Sequence, residues 1–299
     1  MSKTRILALT AAAAALPFFA PGQTAGKELS PYFSAVNYPA EKRSFRLTAL
    51  SDFQLARFGN NFTTGMLLAE YGIADRWTAG AAAEGQKILD TPAEYGGVRF
   101  NTYYRLSADD RFLNLTLYGE YQELNGAALY RREVTGFGPG DLPVPTGPAR
   151  RTKARALQAR AILYRDLGRL NFTFNFIGET ALQAPRGSGY GYALGVFMKP
   201  FWSGGAIEDR TTMTSAAAPP ALAVRRLGLG LEMAGALGDD RRFGVYIHSQ
   251  QHYAGPVFTY IISPRWALRF QASFGLTDVS DPFMLRSGVT CLLGSAGNR

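Results

Sequence analysis

The chain contains two histidines, His248 and His252, with Ser249 beside the first of them. A serine next to an imidazole is the nucleophile and base of acyl transfer, and two imidazoles can begin a metal site. Each reading lacks a part. Acyl transfer needs a third group to orient the imidazole, and the run His248-Ser249-Gln250-Gln251-His252 offers only amides. Two histidines four apart share a face on a helix, not on a strand or loop, and no carboxylate adjoins them. They read as polar loop residues, so no catalytic residue, metal ligand or cofactor is assigned and the chain is not expected to be an enzyme. Gly228, Gly230 and Gly235 sit in an alternating segment with no helix after them, which excludes a phosphate loop.

A richer set of candidates is the series Glu84, Arg99, Arg105, Glu120, Arg160, Glu179, Arg226, Glu232, Arg269 and Arg286. Guanidinium and carboxylate pair through two parallel hydrogen bonds. Gathered around a narrow space, charges of both signs either pair into a structural plug or line a permeation path.

The elements that would gather them are strands. In 170–178, LNFTFNFIG, Leu170, Phe172, Phe174 and Phe176 share one face while Asn171, Thr173 and Asn175 share the other, the period of two that a strand imposes. The segments 98–106, 112–122 and 266–274 alternate in the same way, and the ten charges fall by parity on the polar face. A soluble sandwich puts Lys and Glu outside, whereas here the polar face carries Asn, Gln, Thr, Tyr and single charges, and lysine is scarce. Twelve such segments are expected at 43–56, 62–73, 76–88, 95–107, 111–123, 154–166, 169–181, 190–199, 224–236, 252–262, 265–275 and 282–293. The fold class is therefore all-β, an antiparallel up-and-down transmembrane β-barrel of about twelve strands, with ten or fourteen as alternatives.

Loop lengths agree, because periplasmic turns are short and extracellular loops longer. Tight turns are expected at 73–76, 107–110, 166–168 and 263–265, and long loops at 125–152, 183–189, 238–251 and 277–282. The connection 201–223 is the exception, long where a turn is expected. Tyr71, Trp77, Tyr103, Tyr121, Tyr164, Tyr190, Trp202, Tyr253 and Trp266 stand near segment ends, as aromatic girdles would.

The start of the chain has Lys3 and Arg5, an apolar run over 6–19, then Ala20, Pro21, Gly22 and Ala25. This is the layout of a secretory signal, expected to be removed within 20–25. The domains are thus a signal at 1–25 and one barrel over 26–299. No later window reaches the ~20 apolar residues of a helical span. Cys291 is the only cysteine, which excludes an intramolecular disulfide or a thiolate zinc cluster. The net charge of +9, two units of it in the leader, is mostly arginine scattered singly. No basic patch for nucleic acid forms, and export removes that partner. Lipopolysaccharide and other outer-membrane lipid, a small-molecule solute and the outer-membrane assembly machinery are the expected partners.

The run Glu70-Tyr71-Gly72-Ile73-Ala74-Asp75-Arg76-Trp77 resembles the strand-turn-strand of a broad group of outer-membrane barrels, transporter-like and described as of the phenol-degradation pathway type. Gln251-His252-Tyr253-Ala254-Gly255-Pro256-Val257 and Phe274-Gly275-Leu276-Thr277-Asp278-Val279-Ser280-Asp281 resemble its last strands. The resemblance implies a barrel in the cell outer membrane that passes or binds a small solute, and it transfers no functional residue. The sequence thus points to a channel or transporter barrel with an Arg/Glu-lined lumen. A lipid-modifying or hydrolysing enzyme barrel and a structural or adhesion barrel with a closed lumen are the alternatives.

Overall fold

A strand that meets a different solvent on each face settles with its polar residues to one side, and twelve such strands can bury their backbone groups only by closing on themselves. The computed structural model describes residues 31–35, 40, 42–57, 60–88, 91–107, 113–125, 134–136, 153–182, 187–200, 226–263 and 265–294. The leader read in 1–25, the connection 201–223 and Trp202 lie outside them.

The strands are β1 (Ser44–Leu55), β2 (Phe62–Ala74), β3 (Trp77–Ile88), β4 (Glu94–Arg105), β5 (Asn114–Asn125), β6 (Lys153–Leu167), β7 (Leu170–Ala181), β8 (Ser188–Met198), β9 (Leu227–Asp239), β10 (His252–Ser263), β11 (Trp266–Gly275) and β12 (Phe283–Gly294). Each pairs antiparallel with its sequence neighbours, and β1 closes on β12 from Ser44↔Gly294 to Leu55↔Phe283. The up-and-down barrel of twelve strands is as the alternation indicated. A twelve-residue strand rising ~3.3 Å per residue and tilted ~40° spans about 30 Å, enough for the ~25 Å apolar band of a membrane barrel.

The largest departures from the expected boundaries are in β5 and β9. β9 runs Leu227–Asp239 rather than 224–236. β5 begins at Asn114 rather than 111, so the link that precedes it is longer than the expected turn at 107–110. Leu106 and Ser107 both donate their N–H to the Leu115 carbonyl, and Ser107 Oγ accepts the Leu115 N–H at 2.6 Å. A serine side chain thus takes the place of ladder bonds that a two-residue turn would have kept.

The two faces are inverted relative to a soluble protein. Arg46, Asp52, Glu70, Asn101, Gln122, Asn171, Asn175 and Gln271 are buried inside, while Leu67, Phe100, Leu117, Phe172, Leu231 and Phe270 are exposed outside. Water on the outside would penalise every one of those apolar side chains, so this outer face is suited to hydrocarbon. Tyr71, Trp77 and Tyr104 stand on the outer face near the tight turns, and Trp77 Nε1 donates to Thr102 Oγ1 at 2.8 Å. Tyr103, Tyr164 and Tyr253 do not join this girdle. They share the parity of Asn101, Ile162 and Val257 and are buried in the lumen.

Candidate functional site: the lumen

The wall formed by β1 to β5 pairs its charges internally. Arg99 on β4 lies between Glu84 on β3, at 2.6 Å, and Glu120 on β5, at 3.0 Å. Glu120 also accepts from Gln122 at 2.8 Å and from the Tyr118 hydroxyl. Arg46 on β1 bonds Glu70 on β2 at 2.8 Å, both side chains buried. On β6 and β7, Gln158 joins Arg160, at 2.9 Å, to Glu179, at 3.3 Å. Arg286 on β12 reaches Asp52 across the β1–β12 seam at 3.5 Å. Glu84, Arg99, Glu120, Arg160, Glu179, Glu232, Arg269 and Arg286 therefore face inward, joined by Arg46, Asp52 and Glu70, which the sequence reading passed over.

Two of the ten candidates take other places. Arg105 ends β4 and donates to the Asp75 carbonyl at 3.2 Å. Arg226 precedes the true start of β9 and donates to the Ile262 carbonyl at 3.1 Å. Both tie strand ends together at the rim with the tight turns, because a side chain at the end of a strand meets the neighbouring turn before it meets the lumen.

The middle of the lumen is occupied by the chain's own N-terminal segment. Residues 31–35, Pro-Tyr-Phe-Ser-Ala, are all buried inside the wall. The Glu232 carboxylate on β9 accepts three consecutive backbone N–H groups, from Phe33 at 3.0 Å and from Ser34 and Ala35 at 2.6 Å each. The segment's oxygens meet the arginines. Arg269 donates to the Tyr32 carbonyl at 2.9 Å, Arg160 to the Ser34 carbonyl at 2.7 Å, and Arg286 to Ser34 Oγ at 2.6 Å. Hydrogen bonds with an ionised partner are about twice as strong as neutral ones, and here wall charges that would otherwise face the lumen are spent on a peptide backbone.

Side chains complete the plug. Phe33 packs on inward Leu50, Met66 and Ala82, with the Arg269 guanidinium 5.3 Å above its ring. Tyr32 and Ala35 pack on Ile177, Ala193, Phe197 and Ala234, and the Tyr32 hydroxyl donates to Asn171 Oδ1 at 3.0 Å. Tyr32 lies flat over Gly195, where any β-carbon would run into the ring, so the approach requires glycine. These inward apolar residues were the available signal of a plug, since a water-filled lumen would not be lined by them.

A second segment enters from the long-loop end. The Gly136 N–H donates to the Tyr190 carbonyl at 3.2 Å, Gly136 bridges Gly238, and Val134 packs against the cluster around Tyr32. Its carbonyl fills the place of the missing side chain at Gly191. What remains is a cavity of about 80 Å³ between the plug and the β1–β5 wall, bordered by Arg46, Glu70, Arg99, Tyr103, Tyr118 and Arg160. It has room for several waters, but it is about half the ~150 Å³ that admits a benzene ring.

The His/Ser cluster is dispersed. His248 is exposed, 3.9 Å from Asp278. Ser249 Oγ donates to the Tyr246 carbonyl at 3.4 Å and accepts from Arg242. His252 is buried on the outer face of β10, its Nδ1 3.1 Å from the Tyr192 hydroxyl. Gly228 and Gly230 face the Phe197 ring and serve packing. Among the described residues no group of three or more His, Cys, Asp or Glu could hold a metal ion.

No family model matches the chain, and no curated protein matches it. Among solved structures it is similar to a KdgM porin in complex with disordered oligogalacturonate, at 8% identity over 82% of this chain and 98% of that one, TM-score 0.46. It is also similar to an outer membrane channel from Pseudomonas putida F1, at 10% identity over 89% and 100%, TM-score 0.48, and to LpxR from Salmonella typhimurium, at 10% identity over 82% and 99%, TM-score 0.40. At such identities and TM-scores the likeness carries no argument about what this chain does.

Proposed function

We propose that the chain is an outer-membrane barrel that carries a small polar solute through its lumen and that residues 31–35 keep this path closed at rest. The observation that supports this is the character of the plug contact. Four wall side chains, Glu232, Arg160, Arg269 and Arg286, bond a short segment almost entirely through backbone atoms. The side chains of Tyr32, Phe33 and Ala35 rest on apolar patches of the wall, while the charged contacts go mostly to the backbone. In a polar setting the same bonds can be exchanged for water when the segment leaves. The resemblance of residues 70–77 to transporter-like barrels agrees with a solute path, and the apolar outer belt with residence among outer-membrane lipid and lipopolysaccharide after delivery by the assembly machinery.

The occluded lumen also favours a second reading, a barrel that serves structure or adhesion and never opens. Single-channel recording in planar bilayers separates the two. The double variant Ser34→Pro, Ala35→Pro removes two of the three N–H donors to Glu232, because proline has none, and leaves the wall intact. The full-length protein is expected to be silent and the variant to show discrete steps. Silence in both, with normal heat-dependent gel migration as proof of folding, would sink the channel reading in favour of the structural one.

A further inference from the structure

We propose that the lumenal cradle built from Glu232, Arg160, Arg269 and Arg286 is a peptide-binding site, and that the cargo displacing residues 31–35 is a short bent peptide or a small molecule of the same amide chemistry. The inference rests on the reading of the lumen as a solute path and assigns the chemical class of the solute.

The argument is one of complementarity. The carboxylate of Glu232 spans three successive N–H groups, a pattern that a backbone presents and that a sugar or an aromatic hydrocarbon does not. On the opposite sense of charge, Arg269 and Arg160 each take a main-chain carbonyl, two residues apart, from Tyr32 and Ser34. The site therefore reads donors with an acid and acceptors with cations, along a bent backbone whose successive N–H groups converge on one carboxylate. Of the segment's side chains, the Ser34 hydroxyl meets Arg286, Phe33 meets an apolar wall patch and Tyr32 lies over Gly195 against the Ile177, Ala193 and Phe197 patch, with its hydroxyl on Asn171. Specificity would thus favour an aromatic followed by a bulky apolar residue, with a hydroxyl or small residue next.

Displacement sets a second constraint. When the segment leaves, Glu232 and the arginines lose these partners together, and a solute that displaces the water replacing them must answer both signs of charge. An anion satisfies the arginines and leaves Glu232 facing another negative charge. A simple cation does the reverse. A zwitterionic or amide-rich chain satisfies both at once.

The test uses the full-length chain and its Ser34→Pro, Ala35→Pro variant in detergent, with the acetylated, amidated and dye-labelled peptide Pro-Tyr-Phe-Ser-Ala as probe. Fluorescence polarisation should show saturable binding to the variant. Binding to the wild type should be weaker by on the order of a hundredfold, since a tethered segment competes at an effective concentration around millimolar. A probe methylated on the serine and alanine nitrogens, and the variant further changed by Glu232→Gln, should each lose at least tenfold. Equal binding of the methylated probe, no binding to the folded variant, or preference for an oligomeric sugar acid over the peptide would overturn the assignment. Conductance of the same variant keeps the two ideas apart. Steps without peptide binding leave the channel and remove the peptide, whereas peptide binding without steps leaves the site and removes the channel. As an orthogonal check within the wall, Gly195→Ala should weaken the parent peptide and spare one carrying glycine in place of tyrosine.

Discussion

Glu232 is the residue on which the closed state most depends. Each hydrogen bond to a charged group contributes about 1.5–3 kcal/mol, so Glu232→Gln is expected to weaken plug seating by about 2 kcal/mol, roughly thirtyfold in occupancy. Flickering conductance in an otherwise silent protein would report it, and an unchanged silent trace would refute it. Parity within alternating segments was enough to place Glu232, Arg99 and Arg286 on the lumenal face. It was not enough for Arg46, Asp52 and Glu70. On β1 and β2 the inward face also carries Leu50, Met66 and Leu68, so the polar side of those strands reads as mixed. The reason became visible only with Phe33 lying on Leu50 and Met66: the inner wall is apolar where the plug is apolar. Nothing in the five residues 31–35 has a period, and their partners lie far along the chain, so local pattern could not announce them.

At the level of strands, the three-residue cluster across β3, β4 and β5 fixes one wall of the lumen. Arg99→Ala would leave Glu84 and Glu120 buried beside each other, and losing one partner of a buried ion pair costs about 3–5 kcal/mol. A corresponding fall in the urea midpoint of unfolding in detergent is expected. Arg99→Met with Glu84→Gln and Glu120→Gln should recover most of it. The outer faces can be tested independently. Leu231 on β9 is 64% exposed and sits opposite Val196 and Pro256, near mid-strand. Leu231→Arg should cost about 2–4 kcal/mol in lipid vesicles and much less in urea-detergent mixtures. An equal cost in both would argue that this face does not meet hydrocarbon. Strand positions were legible because a residue facing lipid and one facing the lumen obey opposite rules, so the alternation is strong. Where that contrast fades, at 106–113 and before Leu227, the boundaries moved.

For the whole molecule, sign balance matters more than the basic composition. Along the lumen wall Arg46, Arg99, Arg160, Arg269 and Arg286, with Arg105 at the rim, are met by Asp52, Glu70, Glu84, Glu120, Glu179 and Glu232. The chain's excess of +9 therefore does not define its interior, and the opened Ser34→Pro, Ala35→Pro pore is expected to show a reversal potential near zero in a salt gradient. A strongly anion-selective pore would contradict this. The plug also constrains the order of events in folding. Its hydrogen-bond partners are 126 to 252 residues downstream, on β6, β7, β9, β11 and β12, and loop closure over such separations is slow. The stopper cannot complete its contacts until the last strand has found the first, so every newly made copy passes through an unstoppered stage, and before seating a membrane fresh with this protein should leak with no solute present.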